Sequence, residues 1–167
     1  GSRLQQRMAA SSAGINRRQE ILKSLEVLKG QTVLDVGCGG GHLLEDLALA
    51  VGETGKVYGL DPSKDQLRAA QDRCSNLTNI ELLCQPAHET TLADNAVDLA
   101  TSTQTLEYIR DSESAIIEIS RVLKRHAKFV NVSVLWEHFK FYGPETHLNE
   151  LIHDSFKAHC YHQMLPM

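Results

Sequence analysis

The chain has 167 residues, of which 42% are hydrophobic and 23% are charged, and this fits one globular domain with a packed core. The formal net charge is −4 and the basic residues are scattered, which argues against nucleic acid as a partner. No apolar run approaches the roughly 20 residues of a membrane-spanning helix, so no membrane association is expected. The four cysteines form no Cys-x-x-Cys pair or disulfide framework, which favours free thiols in a reducing compartment, the cytoplasm.

The beginning of the chain is polar and rich in small residues. Residues 1–14 are predicted to form a flexible leader in which Gly1 and Ser2 are typical of a cloning remnant, and residues 15–167 are predicted to form a single domain. Apolar residues at helical spacing predict a helix from Ile15 to Leu28 that ends at Gly30. We expect this helix to lie across a sheet, with its lead-in either disordered or closed over a ligand.

The most informative stretch is residues 33–42, Val-Leu-Asp-Val-Gly-Cys-Gly-Gly-Gly-His. The apolar run Thr32–Val36 predicts a buried parallel strand, and an amphipathic helix is predicted to start at Gly41 or His42. Glycine permits positive φ and removes the Cβ that would hold a ligand away from the backbone, while a helix start offers unpaired N–H groups. The stretch therefore predicts a site for a small polar ligand. The alternative is an ordinary strand-to-helix turn.

The spacing of the glycines separates two classes of cofactor. The dinucleotide fingerprint Gly-x-Gly-x-x-Gly/Ala fails because His42 occupies its third small position, which argues against an NAD-linked oxidoreductase. The pattern present is Asp-x-Gly-x-Gly-x-Gly, formed by Asp35, Gly37, Gly39 and Gly41. It resembles the first motif of the class I S-adenosylmethionine-dependent methyltransferases, and particularly of those that act on small molecules.

This resemblance implies that the motif binds S-adenosyl-L-methionine and releases S-adenosyl-L-homocysteine as the product. Cys38 is then implied to pack beside the cofactor rather than to act as a nucleophile. Asp35 is implied to organise the glycine turn or to reach the amino group of the cofactor, and not to act as a base.

A carboxylate also follows the second predicted strand, Lys56–Leu60. Because a carboxylate can accept two hydrogen bonds from a diol, Asp61 is predicted to bind the ribose, with Pro62 beside it. The alternative is that Asp61 caps the helix predicted over Lys64–Cys74, a role that Ser63 can also fill.

The third strand is predicted over Asn79–Cys84, and the turn after it departs from the family's pattern. The resembling enzymes usually carry an acidic residue and an alanine there, and the acidic residue meets the adenine amino group. Here Pro86 stands at the acidic position and only Ala87 fits. The backbone of Ala87 is therefore implied to meet the adenine, with His88 or Glu89 supplying the side-chain contact.

The fourth strand is predicted over Val97–Ser102, after a run, 93–98, that resembles the family's signature at this point. Thr103 and Gln104 follow the carboxyl end of that strand, where open α/β sheets bind ligands. They are candidates for contacts with the methionine moiety or the substrate. The alternative for each is a polar loop that caps the next helix.

The remaining elements are a helix over Asp111–Lys124, a turn at 125–127, a fifth strand over Lys128–Leu135 and a last helix over 144–159. Four apolar residues of that last helix are predicted to face inward: Leu148, Leu151, Ile152 and Phe156. Glu137 and His138 are the candidates for a general base, and no other catalytic residue is proposed. The histidines and Cys160 near the end match no closed zinc pattern, so no metal is expected.

The predicted fold is an α/β Rossmann-like three-layer sandwich with a parallel sheet in the order 3-2-1-4-5. The family's sheet has seven strands, so we expect a truncated or short form, or a degenerate member, without strands 6 and 7. A second copy of the chain, or residues 136–142 folded back, is predicted to cover the open edge of the fifth strand. The predicted function is methyl transfer to a small-molecule acceptor by in-line displacement. The alternative is a catalytically impaired binding or regulatory module that pairs with another subunit.

Overall fold

The computed structural model of the protein describes residues 3–134, 143 and 145–162. Five parallel strands form one sheet in the order β3-β2-β1-β4-β5: β1 Thr32–Val36, β2 Lys56–Leu60, β3 Ile80–Leu83, β4 Val97–Thr103 and β5 Leu123–Val132. The α-helices are α1 Arg3–Ala10, α2 Ser12–Leu25, α3 His42–Val51, α4 Lys64–Arg73, α5 Ser112–Val122 and α6 Thr146–His162, with a 3₁₀ turn at Leu106–Tyr108. The strand order and direction confirm the predicted Rossmann-like sheet.

β1 lies at the centre of the sheet and is buried on both faces. Val33 belongs to the core cluster formed with α2, α3 and α4, whereas Leu34 and Val36 belong to the cluster formed with α5. Side chains alternate between the faces of a strand, so a strand covered on both sides reads as a continuous apolar run. This arrangement is the three-layer sandwich that the sequence predicts.

The register of the sheet brings three strand ends together. Val36 at the end of β1 pairs with Leu60 at the end of β2 on one side and with Ser102 of β4 on the other. The strand order reverses between β1 and β4, and ligands of open α/β sheets bind in the crevice at such a point. The chain segments that follow these three strands therefore share one edge of the molecule.

The beginning of the chain differs from the prediction. In place of the predicted flexible leader, the chain forms α1 and the start of α2, and Ser11 between them caps α2 by accepting a hydrogen bond from the Gly14 N–H at 3.2 Å. A Cβ on the buried Gly14 would lie 2.5 Å from the carbonyl oxygens of Met8 and Ala9, so glycine permits the tight corner between α1 and α2. α2 also ends earlier than predicted, at Leu25. The domain boundary at residue 15 stays a prediction.

Two elements near the end of the chain also differ. β5 begins at Leu123 rather than Lys128, and it bulges because Val97 pairs with Leu123 while Leu99 already pairs with Lys128. The prediction that the apolar residues of α6 face inward is wrong for three of them, which are about half exposed: Leu148 43%, Leu151 57% and Ile152 46%. Helical spacing predicts which residues share a face, but it does not show what covers that face.

Within the described ranges, β5 pairs with β4 along one edge. Covering of its other edge by a second copy stays a prediction, and the alternative cover, residues 136–142, lies outside the described residues. None of the helices in the described part of the chain is long and apolar enough to cross a membrane.

Candidate functional site

A cavity of about 600 Å³ opens at the shared edge of the sheet. Its floor comes from the chain that follows β1, β2, β3 and β4, and Met8, Ala9, Arg17 and Arg18 of α1 and α2 form one wall. The volume is in the range of small-molecule sites. The polar segment that precedes the helix predicted from Ile15 therefore borders this cavity.

The glycines of the β1–α3 turn divide into two kinds. Gly37 has φ +76° and a Cβ there would overlap the Thr105 side chain, while a Cβ on Gly41, at φ +80°, would lie 2.9 Å from Ala70. Those two glycines permit close packing. Gly39 and Gly40 line the cavity, and a Cβ added to either would come no closer than 4.0 and 3.8 Å to Gln66 Oε1, so they leave room for a ligand.

Gly41 is the predicted cofactor residue that the structure leaves outside the cavity lining. Its carbonyl oxygen lies 3.7 Å from the Cys74 thiol, which donates to it, and its Cα packs against α4. Glycine at this position allows close contact between α3 and α4. The spacing of the motif alone does not tell a glycine needed for helix packing from one needed for ligand contact.

Asp61 holds the glycine turn against the end of β2. Its Oδ2 accepts a hydrogen bond from the Gly39 N–H at 3.1 Å, and its Oδ1 accepts one from the Ser63 N–H at 2.8 Å. The N-cap of α4 is Ser63, whose Oγ accepts from the Gln66 N–H at 3.4 Å, so the alternative role of Asp61 as that cap is wrong. Asp61 lines the cavity beside Pro62, where its lone pairs can accept further hydrogen bonds.

Asp35 places a second carboxyl group in the same cavity. It is 2% exposed, and no donor among the described residues contacts its carboxyl group. Burial, and then the nearby Asp61, raise the pKa of Asp35 to about 7. At neutral pH the group is therefore about half ionised, and a cationic group in the cavity would stabilise its charge.

Cys38 lies inside the glycine turn and is buried at 7% exposure. Burial and then the carboxyl groups of Asp35 and Asp61 raise the pKa of its thiol, so the thiolate does not form at neutral pH. This chemistry agrees with a packing role beside a ligand.

The loop after β3 supplies the wall next to Asp61. Pro86, Ala87 and His88 line the cavity, while Glu89 does not. The loop is closed by Gln85, whose side-chain oxygen accepts a hydrogen bond from the Thr91 N–H at 3.1 Å. Of the two predicted side chains, His88 rather than Glu89 is therefore placed to replace the acidic residue that Pro86 displaces.

The chain after β4 completes the cavity with Thr103, Gln104 and Thr105. Gln104 has φ +50°, a conformation uncommon for a non-glycine residue, and its N–H donates to the Val132 carbonyl at 2.7 Å. Its side-chain Oε1 accepts a hydrogen bond from Arg17 Nη1 at 2.6 Å. The structure therefore brings both predicted residues to the site.

Sequence patterns missed the arginines and His42 as lining residues. Arg17 and Arg18 follow a polar stretch with no motif, so the sequence carries no signal for them. The predicted bases Glu137 and His138 lie outside the described residues and stay predictions. In the part of the chain that is described, no group of three or more His, Cys, Asp or Glu residues could hold a metal ion.

A family model described as a methyltransferase domain matches residues 28–164. The chain belongs to the methyltransferase domain family. This methyltransferase domain is 31% identical over 130 residues to an uncharacterised 37.1 kDa protein in transposon TN4556 of Streptomyces fradiae. It is 37% identical over 107 residues to demethylmenaquinone methyltransferase of Staphylococcus carnosus. Those matches cover 78% and 64% of this chain but only 38% and 44% of the two relatives, so it spans less than half of their length.

Among solved structures, the methyltransferase domain is similar to an S-adenosylmethionine-dependent methyltransferase from Aquifex aeolicus. The TM-score is 0.69 at 30% identity, over 78% of this chain and 70% of that one. The family and this neighbour confirm the class I resemblance and the predicted cofactor, S-adenosylmethionine. The open side of the glycine turn and the carboxylate of Asp61 fit a nucleoside with a diol.

Proposed function

We propose that this chain binds S-adenosylmethionine in the cavity above β1, β2 and β4 and that it supports methyl transfer to a small-molecule acceptor. The observation that carries this proposal is the position of Asp61. Its carboxylate lines the cavity at the end of β2 and accepts the Gly39 N–H at 3.1 Å, so it lies directly beside the glycines that leave room for a ligand.

The cofactor, when bound, supplies a methyl group that its sulfonium makes electrophilic. The chain's own residues have to position and shield the reacting groups. Asp61 holds the ribose, the loop at 86–88 borders the base, and Asp35 lies in the cavity floor where it favours a positive charge. The α1–α2 wall excludes water from one side. Positioning an acceptor in line with the transferred group can supply several orders of magnitude in rate.

A small-molecule acceptor is favoured over nucleic acid for two reasons. The formal net charge of −4 disfavours binding to a phosphate backbone, and the cavity of about 600 Å³ has the volume of a small-molecule site. A relative at 37% identity is named a demethylmenaquinone methyltransferase, and this name supports a small acceptor. Glu137 and His138 stay candidates for a base if the acceptor has to lose a proton.

Replacement of Asp61 by alanine tests the site. The substitution removes charge-assisted hydrogen bonds to the ribose, so we expect the affinity for S-adenosylhomocysteine in calorimetric titration to fall about 10- to 100-fold. Methylthioadenosine shares the adenosine moiety, so its affinity should fall by a similar factor. Asp65→Ala is the matched control, because Asp65 is an exposed carboxylate in the first turn of α4, outside the cavity.

The proposal fails if the wild-type chain binds neither ligand, or if Asp61→Ala and Asp65→Ala bind equally well. NADH is the comparison ligand for the dinucleotide alternative and should show no binding. A tritiated-methyl assay with a panel of small molecules, including a demethylmenaquinone analogue, then tests turnover. Transfer to RNA alone would overturn the small-molecule assignment.

A further inference from the structure

Two large apolar side chains lie at the mouth of the cavity. Met8 of α1 and Tyr108 of the 3₁₀ turn both line the cavity, and yet they are 56% and 58% exposed. A side chain that lines a cavity while more than half of it is exposed lies where the cavity meets solvent. The mouth is therefore apolar on the side of α1 and on the side of the chain that follows β4.

Exposure alone does not make these two side chains informative. Leu28 and Leu49 are exposed to a similar extent, 65% and 64%, but neither lines the cavity. Single exposed apolar side chains are normal on a folded protein, whereas apolar side chains at the rim of a concave site indicate a ligand with apolar surface. Met8 and Tyr108 are thus candidates for contact with a ligand.

Both rim residues are held in place by their backbones. The Tyr108 N–H donates to the Thr105 carbonyl at 2.9 Å, and the neighbouring Leu106 is buried in the core. The Met8 carbonyl accepts a hydrogen bond from the Ser11 N–H at 3.2 Å and another from Ser11 Oγ at 2.6 Å. Ordered elements therefore present the two side chains to the cavity, although neither side chain is used to fill the core.

Two polar side chains at this end of the cavity are engaged within the protein. Thr105 Oγ1 donates to the Thr103 carbonyl at 3.1 Å, and Gln104 Oε1 accepts a hydrogen bond from Arg17 Nη1 at 2.6 Å. No Asp, Glu, Lys or Arg occurs among the lining residues of α1 or of the described chain from Thr103 to Ile109. Against these two segments a charged group would lose hydration without meeting an opposite charge, whereas an apolar group gains from burial.

The strand order indicates which part of a bound cofactor faces this end. In the proposed function the base borders the loop after β3, and the ribose lies at Asp61 after β2. The order β3-β2-β1-β4 then places the sulfonium end of the cofactor over β1 and toward β4. An acceptor therefore reaches the methyl group from the side of α1 and of the chain after β4.

We infer that the acceptor is an uncharged molecule with an apolar ring, and that Met8 and Tyr108 select it by packing against that ring. This inference rests on the proposed function, since it requires the cofactor site at Asp61, and it deepens that function by naming the chemical class of the acceptor. Tyr108 offers an aromatic ring for offset stacking, and the unbranched side chain of Met8 adapts to the shape of its neighbour.

Three probes that share one ring system separate the possible classes of acceptor. 2-Naphthol is uncharged at neutral pH, 2-naphthoate is an anion and 2-naphthylmethylammonium is a cation. In calorimetric titration of the chain saturated with S-adenosylhomocysteine, 2-naphthol should bind at least about tenfold more tightly than either charged probe. Tighter binding of 2-naphthoate would indicate an anionic acceptor at Arg17, and tighter binding of the ammonium would indicate a cationic one. Either result would overturn the inference.

Substitutions at the rim test the two side chains. Met8→Gln and Tyr108→Ser should each weaken the binding of 2-naphthol by about 3- to 20-fold, because each removes apolar surface that contacts the ring. The affinity of both variants for S-adenosylhomocysteine should stay within about twofold of wild type, since the ribose and the base lie on the other side of the cavity. Leu49→Gln is the matched control, because Leu49 is a similarly exposed apolar residue on α3 outside the cavity.

Met8→Lys tests the selection through a gain of binding. An ammonium group at the mouth should weaken the binding of 2-naphthol and strengthen that of 2-naphthoate, so the ratio of the two affinities should change by about tenfold. A loss of folding would weaken both probes and would not change this ratio in favour of the anion. If circular dichroism shows that Tyr108→Ser does not fold, the two Met8 variants decide the question.

Equal binding of 2-naphthol by wild type, Met8→Gln and Tyr108→Ser would overturn the inference. The same holds if 2-naphthol does not bind to a chain that does bind S-adenosylhomocysteine. Neither result affects the Asp61 test, which is read from S-adenosylhomocysteine and methylthioadenosine alone. A wild-type chain that binds no S-adenosylhomocysteine would instead remove the proposed function, and this inference with it.

Discussion

Asp35 is a carboxyl group whose protonation changes near neutral pH because the fold buries it beside Asp61. Its pKa is about 7 in the folded protein against an ordinary 3.8, so between pH 4 and 7 the folded state holds a proton that the unfolded state has lost. Its contribution to stability is complete below pH 4 and is lost as the pH rises through 7. A cationic ligand acts in the opposite direction, because it favours the ionised carboxylate.

We therefore predict that the affinity for S-adenosylmethionine increases with pH. With a pKa of about 7, the ionised fraction of Asp35 rises about tenfold between pH 6 and pH 8, so Kd should fall by up to about tenfold over that interval. Calorimetry in buffers of different ionisation enthalpy should also detect proton release below pH 7. In Asp35→Asn the pH dependence should disappear.

The control for this prediction concerns His88, which lines the same cavity. His88→Gln should keep the wild-type pH profile if Asp35 is responsible. A profile that persists in Asp35→Asn and vanishes in His88→Gln would contradict the assignment.

For single residues of the cavity lining, the sequence was informative only where the residue belongs to a recognisable motif or ends a predicted strand. Asp35, Gly39 and Asp61 could be found because strand ends and glycine spacing fix their positions. Arg17 could not, because its partner Gln104 is 87 residues away and no local pattern links them. The contact of Gly41 with Ala70 has no local signal either, and the role of Gly41 at the cofactor stays a prediction.

The turn from β1 to α3 is the element on which the site depends, and its glycines have separable roles. Gly37→Ala should destabilise the fold by about 2–4 kcal/mol, because φ is +76° and the new Cβ would overlap Thr105. Gly39→Ala should cost about 1 kcal/mol, since φ is +52° but the space is open, and its methyl group should weaken S-adenosylhomocysteine binding. Urea unfolding and calorimetric titration measure the two effects.

Gly52→Ala is the matched control, because Gly52 has φ +70° at the end of α3 and its Cβ would meet only Lys29 Cγ at 4.0 Å. Because its ψ is −177°, this backbone conformation is essentially confined to glycine, so the substitution should cost about 1–3 kcal/mol of stability from strain alone, with no change in affinity. A loss of stability in Gly37→Ala no larger than that in Gly52→Ala would show that the contact with Thr105 is not limiting.

The elements themselves were predicted to different degrees for a physical reason. β1 and β2 were predicted to the residue, because strands buried on both faces are apolar runs that end at glycine or Asp-Pro. α1 was missed, because its corner depends on Gly14 and on the Ser11 cap rather than on an apolar stripe. The bulge of β5 was read as a turn, since pairing with β4 is not visible in the local sequence.

At the scale of the whole molecule, the cavity is bordered by four separate parts of the chain. The α1–α2 corner, the β1–α3 turn, the β3 loop and the chain after β4 each contribute lining residues. A ligand that touches all four segments links them, so its binding free energy is added to the free energy of unfolding. The molecule should therefore gain stability from the ligand as one cooperative unit.

At a concentration of S-adenosylhomocysteine about 100 times its Kd, the added stability is about 2.7 kcal/mol. For a domain of this size we expect Tm to rise by about 5–10 °C in differential scanning calorimetry. Asp61→Ala at the same ligand concentration should show a smaller shift, because the ratio of ligand to Kd falls, and Asp65→Ala should match wild type. A second unfolding transition whose Tm does not change with ligand would show that α1 and α2 unfold separately from the sheet. In that case the α1–α2 wall would not belong to the ligand site.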